Sequence, residues 1–190
     1  MPHEPEGGGR RPWRTLESRV AYENRWIRVR EDQVEGPHGR GIYGVVEMRH
    51  PAVFVVALDA DERVCLVSLA RYPTGTWSWE VPAGGTDGEA PLVAAQRELA
   101  EETGLAAGEW VRLGGMDALN GIADAPEHVF LARSLEETGD AGATQAEEGI
   151  AEVRWVPFGE ALSMIAAGEI RDGESIAALA LAGIRLGRFR

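Results

Sequence analysis

The order of signals along this 190-residue chain, mixed β with three helices, predicts an α+β fold or a sheet sandwiched between helices. Three observations carry that expectation. Strand signatures fill the region from Trp13 to Val81 and return after Trp110. The stretch from Glu89 to Thr103 has helical spacing and no glycine, and Gly104 follows it directly. Two further helical stretches close the chain, and no internal repeat is present.

Met1 to Pro12 is polar and rich in Gly, Pro and charge, so residues 1–12 are expected to be a disordered tail and not a signal peptide. Residues 13–50 read as a small antiparallel β subdomain. Trp26-Ile27-Arg28-Val29-Arg30 alternates apolar and charged, Gly36 to Gly41 is a turn, and Ile42 to Met48 is the returning strand. Residues 51–190 form the main domain. Ala52 to Leu58 is a continuous apolar run, as in a buried central strand. Asp59 to Glu62 turns, Arg63 to Leu69 returns, and Trp77 to Val81 is a further short strand. Pro82 to Gly88 holds three glycines, a proline and an aspartate and reads as a loop.

The helix from Glu89 to Thr103 carries Pro91 in its first turn, where proline is tolerated, and Leu92, Ala95, Leu99 and Thr103 define its expected inward face. Strands follow at Trp110–Gly115 and His128–Ala132. The segment from Leu135 to Gly149 is an acidic loop, and Ala151–Val156 is the last strand. Pro157 opens a helix to Ala167, and Ser175 to Leu186 is an Ala/Leu-rich terminal helix.

Composition narrows the function. The net charge is −12, which repels phosphate backbones and argues against general nucleic-acid binding. No window approaches the roughly 18 apolar residues of a membrane span. The single cysteine, Cys65, excludes an internal disulfide and fits a reducing, cytoplasmic compartment; within Val64-Cys65-Leu66-Val67 it is expected to be a buried structural thiol. His3, His38, His50 and His128 lack the spacing of a zinc site. Tyr72, Trp77 and Trp79 are expected in the core, with stacking on a nucleotide base as the alternative.

The chemistry is concentrated in Arg97-Glu98-Leu99-Ala100-Glu101-Glu102. Positions i, i+3 and i+4 share a helix face, so Glu98, Glu101 and Glu102 project together, about 100° from the Leu92/Leu99 face. Three carboxylates so close repel one another, and at a helix C-terminus the macrodipole adds to the penalty. A hard divalent cation would offset it, since oxygen ligands suit Mg2+ or Mn2+. A solvated acidic face, partly offset by Arg97, is the alternative for a bare E-x-x-E-E. The glycine-rich segment before the helix favours the cation, because it lets backbone approach a phosphate closely.

These residues resemble the Nudix box, G-x5-E-x7-R-E-U-x-E-E-x-G-U, with U aliphatic. Glu89, seven residues, and then Arg97 to Leu105 match without a gap. The box glycine falls at Gly84, five positions before Glu89, where the motif has six; Ala83 stands at the sixth. Leu69-Ala70-Arg71-Tyr72-Pro73, Trp79 to Gly84, Trp155-Val156-Pro157 and Gly168 to Asp172 resemble the ADP-ribose pyrophosphatase and nucleotide-sugar branch, as does the β extension from Trp13 to Met48.

The resemblance implies an α/β/α sandwich around a mixed sheet and Mg2+-dependent hydrolysis of a pyrophosphate bond, with Mn2+ as a substitute. The substrate it implies is ADP-ribose or another nucleoside diphosphate sugar. Glu98 and Glu102 would be the main metal ligands, with Glu101 and the Ala83 carbonyl contributing. Glu89 and Arg97 would form a structural salt bridge, with Gly84 and Gly104 shaping the loop and helix end. Glu148, or else Glu147, would be the base on a late loop, and Arg71 with Glu80 would contact the substrate. Asn120 stands where ADP-ribose hydrolases often have proline, which leaves other nucleotide sugars open. The branch also implies a homodimer through the N-terminal strands. Alternatives are action on other dinucleotides or nucleoside triphosphates, or a non-catalytic metabolite-binding domain; such domains tend to lose box glutamates, and all are present here.

Overall fold

The structure is a computed structural model and describes residues 12–139, 141, 145–146 and 149–189. The tail before Pro12 lies outside them, as do Glu147 and Glu148. The chain divides into two compact units. One holds the described residues up to Arg49 together with Leu119–Asp124; the other holds His50–Ala118 and the chain from Ala125 onward.

In the first unit, β1 (Arg14–Glu23), β2 (Ile27–Gly36) and β3 (Gly39–Met48) form an antiparallel meander, and β9 (Ala123–Asp124) pairs in parallel with β3. The expected turn tightens to two residues, since β2 runs to Gly36 and β3 starts at Gly39, whose φ of +107° suits glycine. Every residue of β1 is exposed, and Trp13, Val20, Tyr22, Trp26, Ile42 and Met48 present apolar surface. Asp32 is buried in this unit and accepts hydrogen bonds from Ser18 Oγ and Arg30 Nε, the pairing a buried carboxylate needs.

The second unit is built on β4 (Ala52–Ala57), β5 (Arg63–Arg71), β6 (Thr76–Glu80), β7 (Ala83–Gly85), β8 (Leu105–Asp117), β10 (Pro126–Glu137) and β11 (Ile150–Pro157). Its helices are α1 (Pro91–Thr103), α2 (Phe158–Ala167) and α3 (Gly173–Arg185). One mixed sheet has the order β7-β4-β10-β8, with β4 and β10 parallel; a second, antiparallel, has the order β11-β5-β6. Successive side chains of β4 serve opposite faces, as strand geometry requires. Val53 and Val55 pack with Ala94, Ala95 and Leu99 of α1. Phe54 and Val56 pack with Ala178, Leu179 and Ala182 of α3. The sheet is therefore sandwiched between helices, which explains why Ala52–Leu58 is apolar without alternation.

Several expectations change. The strands expected at Trp110–Gly115 and His128–Ala132 extend to Leu105–Asp117 and Pro126–Glu137, so Leu135 to Glu137 is strand and not loop. Ala83–Gly85 is a short strand and not loop: it pairs antiparallel with Ala52–Phe54, completing the free edge of β4. The helix begins at Pro91, two residues later than expected, after Ala90 as N-cap. Its inward stripe is Ala94, Ala95, Glu98, Leu99 and Glu102, while Leu92 is exposed. The stripe has turned because the inward positions include two glutamates that hydropathy assigns to solvent. The helix ends as expected at Gly104, left-handed with φ 72°, whose N–H bonds Ala100 O.

Leu99 is fully buried between α1 and the sheet. Leu99→Ala is expected to lower unfolding free energy by about 2–5 kcal/mol, measured by urea denaturation. A loss under ~1 kcal/mol would show that this face is not a packed core.

Candidate active site

Burial separates the three helix glutamates. Glu98 and Glu102, one turn apart, are 5% and 4% exposed, whereas Glu101 lies at the rim. Both buried carboxylates face β7. The Ala83 N–H donates to Glu102 Oε2 at 2.9 Å. Gly84 lies against Glu98 so closely that an added Cβ would fall inside the carboxylate group. Glycine is required there for close approach, and this is the position that stands in for the box glycine.

Arg97 binds the segment together. Its Nε donates to Glu89 at 2.9 Å, one terminal nitrogen to Glu98 at 2.8 Å and Glu101 at 2.9 Å, and the other to the Gly85 carbonyl at 2.9 Å. Burial would lower its pKa, but the hydrogen bonds to Glu89 and Glu101 and the charge and hydrogen bond of Glu98 outweigh this and raise it. Arg97 is thus a permanent cation that spans helix, strand and loop.

Among the described residues no three carboxylate, imidazole or thiol side chains converge on one point, and Glu98 and Glu101 turn toward Arg97. The donors nevertheless suit a hard divalent cation in kind. Two carboxylates are held one turn apart, nearly free of competing water, against a backbone that no Cβ obstructs.

A cavity of about 560 Å³ is lined by Arg71, Thr76, Ser78, Glu80, Arg171 and Asp172 among others. Glu80 is buried and takes the Arg71 fork on both oxygens, with Nε to Oε1 at 3.0 Å. That hydrogen bond is the main influence raising the Arg71 pKa; burial opposes it, and the charges of Glu80, Asp172 and Glu102 add to it. The pull of Glu102 on Arg71 places the cavity and the glutamate helix within electrostatic range. Glu80 therefore orients Arg71, whose side chain remains about half exposed toward the cavity.

Arg171 and Asp172 belong to the Gly168–Asp172 segment of the resemblance, but the sequence assigns them no role in the site. A signal for Asp172 existed: it is the N-cap of α3 and accepts from Ser175 N at 2.7 Å, the signature of an aspartate three residues before a serine at the start of an apolar run. Tyr72 and Trp77 are 97% and 61% exposed, so they are not core residues; β6 is an edge strand and turns Trp77 to solvent. Trp79 is partly buried, with the Arg154 guanidinium 4.3 Å from its ring centroid. Cys65 is buried, and burial pushes its thiol up to about 12, so it is no nucleophile near neutrality. Glu147 and Glu148 fall outside the described residues, but Gln145 Nε2 donates to the Glu102 carbonyl at 2.8 Å and ties that segment to the end of α1.

A family model described as the NUDIX domain matches residues 48–179, and one described as the nucleoside diphosphate sugar hydrolase N-terminal domain matches residues 13–46. The chain is 35% identical over 165 residues to an ADP-ribose pyrophosphatase of Mycobacterium tuberculosis, covering 86% of this chain and 79% of that protein. It is 38% identical over 148 residues to a GDP-mannose pyrophosphatase of Escherichia coli, covering 73% of this chain and 74% of that one. A solved structure described as an ADP compounds hydrolase superposes with a TM-score of 0.81 over 96% of this chain and 98% of its own, at 20% identity, which is a likeness of fold.

Gly84→Ala is expected to destabilise the protein by about 1–3 kcal/mol, as overpacking does, because the Glu98 carboxylate must leave its place. Gly85→Ala is the control, since its added Cβ would meet Asp87 Oδ1 at an ordinary 3.4 Å. Equal melting temperatures for the two variants would overturn the close approach.

Proposed function

The chain belongs to the Nudix family, and from that premise we propose that it is a Mg2+-dependent hydrolase of nucleoside diphosphate sugars, ADP-ribose foremost, with Mn2+ as a substitute. The observation that carries this reading is the buried pair Glu98 and Glu102 against the backbone at Gly84, together with a cavity that offers two arginines. The two relatives are named for different bases and different sugars. What their names share is a sugar joined to a nucleoside diphosphate, and that common chemistry supports the substrate class.

In this reading Glu98 and Glu102 hold the cation, with Glu101 and the Ala83 carbonyl assisting. Bound between them, a divalent cation would supply charge neutralisation on the phosphate oxygens and a more acidic water. Arg71 and Arg171, which line the cavity, grip the diphosphate, Arg71 in the orientation that Glu80 fixes. Arg97 and Glu89 hold the loop to the helix, and Gly104 ends the helix so that Glu102 stays in its last turn. Glu148 is proposed as the base that removes a proton from the attacking water. Gln145, bonded to the end of α1, supports this placement by keeping the start of that segment near the glutamates.

We also propose that the chain forms a homodimer through its first unit. The exposed apolar positions of β1 and β3 are the support, because a small sheet with so few buried side chains is marginal alone in water. The cytoplasm is the proposed compartment, and among the described residues no helix is long and apolar enough to cross a membrane.

Glu102→Gln is expected to reduce turnover of ADP-ribose and GDP-mannose by at least ~100-fold with an unchanged circular dichroism spectrum. Wild-type rates in this variant would sink the metal-site assignment. Sedimentation of the full chain at micromolar concentration is expected to give a dimer, and deletion of the residues before Pro51 a monomer with weakened substrate binding. A fully active monomeric wild type would remove the dimer proposal alone.

A further inference from the structure

One side chain in the second unit is left without a use by the site above. Glu127 is 7% exposed, and its Oε2 is fully buried with no hydrogen-bond partner among the described residues. Buried polar atoms are normally satisfied, and an orphaned acceptor is costly. No ion pair or side-chain hydrogen bond among the described residues offsets this one, and its charged neighbours are acids. Its pKa is pushed up to about 7, by burial first and then by the charges of Glu174, Asp172 and Asp117.

The topology shows from where a partner can come. Glu127 lies at the start of β10, between Ala52 of β4 and Met116 of β8, so both flanks are closed by paired strands. It shares its sheet face with Val129 and Leu131, which pack with Ala178, Leu179 and Ala182 of α3. The open approach is therefore over the N-terminus of α3, where Asp172 and Glu174 stand. Glu174 has its own pKa raised by burial, which its backbone N–H partly offsets, and then by a hydrogen bond with Asp172 and the charges of Asp172 and Glu80. Asp172 itself lines the cavity beside Arg171, and Glu174 and Glu127 stand behind it within range of its charge.

The cavity thus carries two arginines and, where α3 begins, an acidic end formed by Asp172 with Glu174 and Glu127 behind it. A diphosphate is drawn to the first and repelled from the second. What the acidic end lacks is a hydrogen-bond donor without negative charge. We propose that Glu127, with Asp172 and Glu174, receives the hydroxyl groups of the sugar of a nucleoside diphosphate sugar, an assignment that rests on the substrate class proposed above. Carboxylates are the usual acceptors for a ribose diol. A carboxyl that is part-protonated near neutrality both accepts from a hydroxyl and donates to one. The arrangement orients the substrate, with phosphates toward the arginines and sugar toward α3.

The test compares ligands with and without sugar hydroxyls in Glu127→Gln, with Glu174→Gln as a second variant from a less buried position. KM for ADP-ribose is expected to rise by about 10-fold with kcat within about 3-fold, while hydrolysis of the methyl ester of ADP is unchanged; this matches the loss of one hydrogen bond to a charged group. Calorimetry in Mg2+ is expected to show about 10-fold weaker binding of ribose 5-phosphate, with inorganic phosphate unaffected. An equal loss on the sugar and methyl substrates, or unchanged ribose 5-phosphate affinity in both folded variants, overturns the assignment. So does a Mn2+ stoichiometry that falls by one with sugar affinity intact, which would give the carboxyl to a cation. If wild type hydrolyses no nucleotide sugar, the functional reading fails, and the ribose 5-phosphate measurement still decides the subsite.

Discussion

Two carboxylates are buried side by side in the last turns of α1, where the helix dipole, their mutual repulsion and the loss of hydration all oppose them. Their surroundings answer that constraint. Arg97 brings a fixed positive charge to Glu98 and Glu101 and reaches back to Glu89 and the Gly85 carbonyl. The Ala83 N–H donates to Glu102. Gly84 removes the one methyl that would keep strand and carboxylate apart. Beneath them Leu99, Ala94 and Ala95 anchor the helix on β4, so the glutamates have a rigid base. A site built on packed secondary structure holds its geometry better than one on a free loop.

The same division of labour runs through the cavity. Glu80 is spent on orienting Arg71, and Asp172 caps a helix as well as lining a wall. Arginines and acids share one wall, Arg171 beside Asp172 and Arg71 on Glu80, so the field changes sign within one small volume. A substrate with a charged middle and an uncharged, hydroxylated end feels such a field as an orientation.

Much of this was legible in the sequence. The continuous apolar run at Ala52–Leu58, the helix stopped by Gly104 and the spacing from Glu89 to Leu105 each carry a local physical signature. The inward stripe of α1 was not, because hydropathy places glutamates outside, and only a strand edge packed at Gly84 turns them in. The pairing of Ala83–Gly85 was hidden for a related reason: glycine has no side chain to alternate. Trp77 reads as core until its strand is known to be an edge. Glu127 carries no local signal at all; its isolation depends on the neighbouring strand β8 and on β4 and α3, which lie far from it along the chain. Sequence shows which groups are costly to bury, and the fold shows which are buried anyway.

The short strand β9 has a consequence for how the protein is made. Residues 123 and 124 pair with Val46 and Glu47, Ile122 O accepts from Val46 N, and Gly121 O accepts from the Tyr43 hydroxyl. The first unit therefore draws on chain that leaves the ribosome about 75 residues after Arg49, a delay of roughly 4–15 s at ordinary elongation rates. During that interval the nascent meander has an unpaired edge at β3 and an uncovered apolar face, the conditions under which two copies growing on one messenger would meet. Translation speed across the stretch encoding His50 to Ala118 thus sets how long that edge stays open to a wrong partner, and slow codons there would favour mispairing over maturation.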